Sequence, residues 1–342
     1  MHIILSDAAP TGPACQAALG TLRLPTLNAL LGQLEAAPPM HGNASDLSPA
    51  SERALAQALG LEVTDGLLPW AELDAQSHNL TASLSLTPSP FTAQDGWAWI
   101  TPCHWRVHAD HVTMADTATL KISKGESEAL LQAMQSYFAQ DGITLLAHHL
   151  AHQKDSSVDS TQISWLACGP VFKDLPTASL LRVSGRGVDP WLPRQPQART
   201  LRRLQNEMQM LLYTHPVNTR REAEHLSTIN SFWVSGTGAL QVNKSDPART
   251  TLETSAAQML TDLRNPMLQD DPVAWRDVWN RLENEALATL LEAAHLGKPV
   301  SLTLCGENSA QSFHSPTTRP GFLSRMTARW RQVDAISLLR NL

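Results

Sequence analysis

Apolar positions along the chain fall into two rhythms. The opening Met1-His2-Ile3-Ile4-Leu5 is a short apolar run that reads as a buried strand, and turn residues follow from Asp7 to Pro13. Leu27, Leu30, Leu31 and Leu34 then recur at helical spacing, which predicts strand, loop and helix in that order. Residues 36 to 52 are rich in Pro, Gly, Asn and Ser and predict a loop. The run from Glu52 to Leu59, stopped by Gly60, predicts a short helix.

The texture changes at Trp97. Residues 97 to 107 and the neighbourhood of Val112 read as strands, and Ser123-Lys124-Gly125-Glu126 is a capping-box pattern that predicts a helix start. Leu130, Leu131, Met134, Tyr137 and Phe138 share one helical face, and Asp141-Gly142 turns the chain into the apolar run Ile143 to Ala147. Residues 97 to 189 thus predict a small α+β unit, with Pro190, Pro193 and Pro196 marking its exit. Leu201, Leu204, Met208, Leu211 and Leu212 predict an amphipathic helix ending near His215-Pro216. A single long helix is expected over 272 to 295, with Trp275, Val278, Trp279, Leu282 and Ala286 on one face and Gly297 and Pro299 as its stop. It feeds a strand over Val300 to Cys305. Strands alternating with long helices predict α/β architecture.

Composition narrows the function classes. The chain has 342 residues, 42% hydrophobic and 17% charged, enough for a large core or two packed units. No apolar run approaches the roughly 20 residues of a membrane span, and the first residues lack the basic flank of a signal peptide, so a cytoplasmic protein is expected. A net charge of −6 gives no bulk attraction for nucleic acid or anionic membrane, and neither is expected as a partner. Cys15, Cys103, Cys168 and Cys305 are scattered singly, which predicts buried thiols and not a zinc ribbon or disulfide framework. Several of the ten tryptophans, such as Trp275 and Trp279, sit in apolar periodic segments, where core packing is the default reading.

Several clusters carry candidate chemistry. Arg220 and Arg221, with His215, Asn218, Trp233, Gly236 and Gly238 close in sequence, could form a pocket for a phosphorylated or carboxylated small molecule, because guanidinium forks match such oxygens. The alternative is a helix terminus fixed by Pro216 and Asn218 with solvated arginines. Arg182, Arg186 and Asp189 could add polar groups at a domain junction. His148, His149 and His152 lie close together but lack the glutamate of a zincin. Cys103, His104, His108, Asp110 and His111 include metal-ligand types, yet strand alternation would split them between faces, which favours a structural role.

The segment His215-Pro216-Val217-Asn218-Thr219-Arg220-Arg221, continuing to Trp233-Val234-Ser235-Gly236-Thr237-Gly238, resembles the archaeal-type cofactor-independent phosphoglycerate mutases. Leu24-Pro25-Thr26-Leu27-Asn28 is similar to the helix start of the alkaline phosphatase superfamily, and residues 97 to 189 resemble the inserted domain of those mutases. Thr101-Pro102-Cys103-His104-Trp105, Asp189-Pro190-Trp191-Leu192-Pro193, Leu201-Arg202-Arg203-Leu204-Gln205-Asn206-Glu207 and Asn230-Ser231-Phe232-Trp233 are similar to a bacterial family called regulatory protein of the pathogenicity-factor E type.

This resemblance implies an alkaline phosphatase-like α/β core with a central, mostly parallel sheet and helices on both faces. The core would span 1–96 and 190–342, with a small α+β domain inserted at 97–189. It also implies a catalytic kit: two divalent ions such as manganese, a serine nucleophile, and an aspartate at the end of the first strand. Asp7 fits that aspartate, and Ser45, or else Ser48, is the candidate nucleophile within His41-Gly42-Asn43-Ala44-Ser45-Asp46. The family's Asp-x-x-x-His and Asp-His elements are missing: after residue 190 the histidines are His215, His225, His295 and His314, and none has an aspartate four residues before it or immediately before it. The expectation is a non-catalytic, mutase-like regulatory protein without a cofactor, with an anionic metabolite or a protein as partner. The alternative is an active mutase or related phosphotransferase with a rearranged metal site.

Overall fold

The computed structural model describes residues 1–78, 95–147, 163–240, 257–316 and 334–342. In chain order its strands are β1 (His2–Leu5), β2 (Glu35–Ala36), β3 (Gly96–Cys103), β4 (Trp105–Val107), β5 (Val112–Met114), β6 (Thr144–Leu146), β7 (Trp165–Gly169), β8 (Ser231–Ser235), β9 (Ala257–Leu260), β10 (Ser301–Cys305) and β11 (Ala310–His314). The chain divides into two compact units, Met1–Glu62 with Asn243–Leu342, and Val63–Val242.

The first unit is built on a five-stranded sheet in the order β2-β11-β10-β1-β9. β1 runs parallel to both β9 and β10, β11 is antiparallel to β10, and β2 is antiparallel to β11. Only β11 therefore opposes the common direction, and with two parallel and two antiparallel pairs the sheet is mixed. Side-chain alternation sorts its two faces. Ile3, Leu5, Leu302 and Leu304 pack with Leu27, Leu30, Trp275, Trp279 and Leu290 of the helices Pro25–Gln33, Pro272–Asn284 and Ala286–His295. Ile4, Cys305 and Ala310 face the other way, onto Ala50 and Ala54 of the helix Ala50–Ala58. Helices cover both faces of this α/β unit, as expected.

Local signals explain several ends. Gly60 takes φ of 70° after the helix Ala50–Ala58. The amides of Gly60 and Leu61 bond the carbonyls of Gln57 at 3.0 Å and Ala56 at 2.9 Å, the double closure of a Schellman motif. The expected continuous helix over 272 to 295 is broken instead at Glu285, with φ −113° and ψ −81°. The Asn284 side-chain amide donates to the Asn280 carbonyl at 2.7 Å, competing with the regular helical bond there.

The second unit carries a four-stranded sheet, β6-β7-β3-β8, with every neighbouring pair antiparallel. On one face Ala98, Ile100, Trp165, Phe232 and Val234 pack with Leu130, Met134 and Phe138 of the helix Lys124–Gln140 and with Leu201, Leu204 and Met208 of the helix Arg199–Tyr213. The Phe138 and Phe232 rings sit 5.2 Å apart, a tilted pair of a kind worth about 0.5–1.5 kcal/mol beyond area burial. On the other face Trp97, Leu166 and Cys168 meet Ala71 and Ala75 of the helix Trp70–Ser77.

This corrects the boundary expected at 97–189. β8 completes the sheet by pairing with β3, and the helix Arg199–Tyr213 fills its core, so neither belongs to the first unit. The proline-rich stretch after Asp189 is internal to the second unit. Among the described residues no helix is long and apolar enough to cross a membrane, and all four cysteines are buried and free.

Candidate functional site

The carboxyl ends of the parallel strands β9, β1 and β10 gather the polar cluster of the first unit, the usual place for ligand chemistry in such sheets. The Ser6 amide donates to the Leu260 carbonyl at 2.9 Å and the Ala8 amide to the Cys305 carbonyl at 2.7 Å, which pins the chain on either side of Asp7. Asp7 sits between them at φ 55°, a left-handed conformation that costs a non-glycine residue about 1 kcal/mol or more. Its buried carboxylate accepts from the Ser6 hydroxyl at 2.6 Å and lies 3.7 Å from the Arg264 guanidinium. The Ser51 hydroxyl is 3.2 Å from that of Ser6. Burial, reinforced by the charge of Asp7 and partly offset by Arg53, pushes the Cys305 thiol well above its usual range, so it stays protonated at neutral pH.

The loop carrying the nucleophile candidate is tied down by a neighbouring arginine. Arg53, from the helix Ala50–Ala58, reaches Asp46 at 3.3 Å, the His41 carbonyl at 3.4 Å and the Asn308 carbonyl at 2.9 Å. Asp46 in turn accepts from the Asn43 amide at 2.8 Å, while its own amide bonds the Asn43 carbonyl at 3.1 Å. Ser45 is an exposed residue within that turn, and Ser48 is buried. The hydroxyl brought to Asp7 is that of Ser6, with the Ser51 hydroxyl bonded to Ser6 in turn, and sequence spacing singled out neither. Ser6, next to the expected aspartate, was the one available signal.

The Leu24-to-Asn28 segment, similar to a superfamily helix start, has an architectural task. Glu283 accepts from the amides of Thr26 at 2.8 Å and Leu27 at 2.9 Å, closing the N-terminus of the helix Pro25–Gln33 from a helix distant in sequence.

In the second unit the residues expected to hold an anion are mostly committed to one another. Asn218 is buried; its side-chain amide donates to the carbonyls of Leu212 at 2.8 Å and Ile229 at 2.7 Å, and its oxygen accepts from the Ile229 amide at 2.7 Å. Arg221 is fully buried and donates to the Ser227 carbonyl at 2.7 Å, to Glu126 at 2.9 Å and to the Leu120 carbonyl at 2.5 Å. The Trp233 indole donates to the Ala178 carbonyl at 3.0 Å. Gly236, at φ 72°, has the Trp99 ring where a Cβ would lie, 2.9 Å away, and Gly238, at φ 140°, has the Leu67 carbonyl there. These glycines admit internal neighbours, not a ligand. The fork of Arg221 is spent, which corrects the expected pocket. Arg220 alone of the pair is exposed, beside the half-buried His215. His215 has its pKa lowered by burial and then by the Arg220 charge, and its Nδ1 accepts from the Val217 amide at 3.2 Å.

The motif order has a physical meaning here. Thr101, Pro102 and Cys103 of β3 face Trp233, Phe232 and Ser231 of β8. Asn230 then clips Trp105 from both sides, accepting from its amide at 2.7 Å and donating to its carbonyl at 2.8 Å, while His104 Nδ1 lies 2.7 Å from the Thr228 carbonyl. Two segments that read as separate motifs are one joint.

Among the remaining candidates Cys103 stands apart from the histidines of the following turn. Cys103 is buried, whereas His108, Asp110 and His111 lie exposed on the β4–β5 turn. Arg182 is buried with its guanidinium 5.5 Å from the Trp191 ring centroid, and Asp189 accepts from the Val112 amide at 3.3 Å, so both brace the second unit. His148, His149 and His152 lie outside the described residues. Among the described residues no group of three or more His, Cys, Asp or Glu could hold a metal ion. Asp7 has the Ser6 hydroxyl and the Arg264 guanidinium beside it, a donor set that does not fit two divalent ions.

Fold and site thus define an α/β protein with a polar cluster at the ends of its parallel strands. No protein-family model matches the chain, and no curated protein matches it either. Among solved structures it is similar to the PH0037 protein of Pyrococcus horikoshii, with 11% identity, 92% of this chain and 86% of that one covered, and a TM-score of 0.44. It is also similar to a cofactor-independent phosphoglycerate mutase from Thermoplasma acidophilum DSM 1728, with 13% identity, 93% and 90% covered, and a TM-score of 0.33. Likenesses at this level carry no assignment of activity.

Proposed function

We propose that the chain is a non-catalytic, phosphoglycerate mutase-like regulatory protein of the bacterial cytoplasm, of the pathogenicity-factor E type. The observation that carries this reading is the company Asp7 keeps. In an active mutase a strand-end aspartate serves a divalent ion; here the Ser6 hydroxyl and the Arg264 guanidinium share it. The motif likeness supplies the family, and the absent Asp-x-x-x-His and Asp-His elements support loss of catalysis. Its anionic partner, a phosphorylated or carboxylated metabolite, would meet the exposed Arg220 beside His215, since Asn218 and Arg221 are committed internally.

A second reading, a mutase with a rearranged site, draws on the same spot, because a buried carboxylate bonded to one serine hydroxyl, with a second behind it, is a rudiment of nucleophile activation. Metal analysis of the purified chain and a mutase assay with added manganese separate the two. The regulatory reading expects neither stoichiometric metal nor turnover; turnover abolished by Asp7→Asn would replace it with the catalytic one. Thermal shift with 3-phosphoglycerate tests the ligand: a rise lost in Arg220→Ala supports the Arg220 site, and a rise unchanged by that substitution moves the ligand elsewhere.

A further inference from the structure

The β4–β5 hairpin ends in His108-Ala109-Asp110-His111. Val107 pairs with Val112, and the His108 amide donates to the His111 carbonyl at 2.9 Å, so the two histidines form the outermost cross-strand pair. Cross-strand partners hold their Cβ atoms about 4.5–5.5 Å apart on one face. The two imidazoles stack with centroids 4.5 Å apart and planes 12° from parallel. Asp110 Oδ1 lies 2.6 Å from His111 Nδ1, where the carboxylate accepts the ring N–H and leaves the lone pair on Nε2. That is the carboxylate-behind-histidine arrangement that orients metal-ligating imidazoles. His108 Nε2 lies 3.0 Å from the Thr113 hydroxyl, which can donate or accept, so that ring too can present a lone pair.

We propose that His108 and His111 form a surface clamp for a nitrogen-seeking divalent transition ion, copper(II) or nickel(II), with Asp110 behind His111 and water completing the coordination. Two imidazoles on one ion need their nitrogens to converge, which takes rotation of a ring about the soft χ2 torsion. The backbone is already placed for it. The amide of Val112 is held by Asp189 at 3.3 Å, its carbonyl by the Val188 amide at 3.0 Å, and Met114 by the Arg186 carbonyl at 2.9 Å. The clamp therefore rides on a fixed hairpin. Copper(II) and nickel(II) suit such a site because imidazole is their preferred ligand and two neighbouring nitrogens fit a tetragonal ion. Zinc, which takes four protein ligands in structural sites, is not served by two.

Copper(II) titration of the full chain by calorimetry tests the clamp, with nitrogen hyperfine structure in the electron paramagnetic resonance spectrum as the second readout. One tightest site is expected, weakened at least tenfold in both His108→Ala and His111→Ala and less in Asp110→Asn. All three variants change exposed residues and should retain the parent circular dichroism. A tightest site of equal affinity in parent and both histidine variants, or no binding in the parent, overturns the assignment.

Discussion

The Asp7 cluster of the first unit and the Asn218–Arg221 cluster of the second make an instructive pair. Each contains residue types that chemistry uses. Arg221 is fully buried and has Ser227, Leu120 and Glu126 as partners within 2.9 Å. Asp7 has a left-handed backbone and an ion pair of 3.7 Å. Dense, short, internal bonds mark a structural joint; a left-handed backbone with a loose ion pair at a strand end holds its carboxylate less firmly.

Arg221→Ala should break the comparison most forcefully. It leaves Glu126 and two carbonyls without their buried partner and should cost about 3–5 kcal/mol in urea unfolding of the second unit. A loss below about 0.5 kcal/mol would return Arg221 to the ligand pocket. Asn218→Ala should follow, at about 1–3 kcal/mol, because the Leu212 carbonyl and both backbone groups of Ile229 lose their partner.

Acid should find the same joint. Burial pushes the Glu126 carboxyl up, but hydrogen bonds from Ser123 and Arg221 outweigh it and hold its pKa below the ordinary value. A depressed carboxylate contributes stability above its unfolded pKa of about 4.3, and that contribution is lost as pH falls through the folded value. Melting temperature measured across this range should therefore drop less steeply in Glu126→Gln than in the parent; equal slopes would remove Glu126 from the account.

In the first unit Asp7→Gly should change stability by no more than about 1 kcal/mol, since relief of the left-handed φ offsets the lost carboxylate contacts. A much larger loss would make Asp7 the anchor of its unit. Ser45→Ala, in an exposed turn, should stay within about 0.5 kcal/mol in the same unfolding assay.

What could be read from the sequence was what local physics decides. The Ser123–Glu126 capping box forms with both its bonds, 2.8 Å and 3.2 Å, and the glycine stop at 60 closes as expected. Trp275 and Trp279 are core residues, packed edge to face at 6.2 Å. Long-range pairing was not legible. Nothing near Ser231 announces that it will lie against Cys103, so the inserted unit was expected to end too early. The same holds for the site: Asp7 could be expected at a strand end, but Arg264, from a distant segment, could not be foreseen as its counter-ion. Whether an arginine faces a ligand or a neighbouring carbonyl depends on the partner that folding delivers.

The position of β1 between β9 and β10 also orders events in time. As the chain leaves the ribosome, the first strand has no parallel neighbour until residues 257–305 have been made. The second unit is continuous in sequence and has its whole core available by then. It is the natural first domain to fold during synthesis, while Ile3, Ile4 and Leu5 wait exposed for partners that come late, which makes that waiting period the interval in which a chaperone matters most.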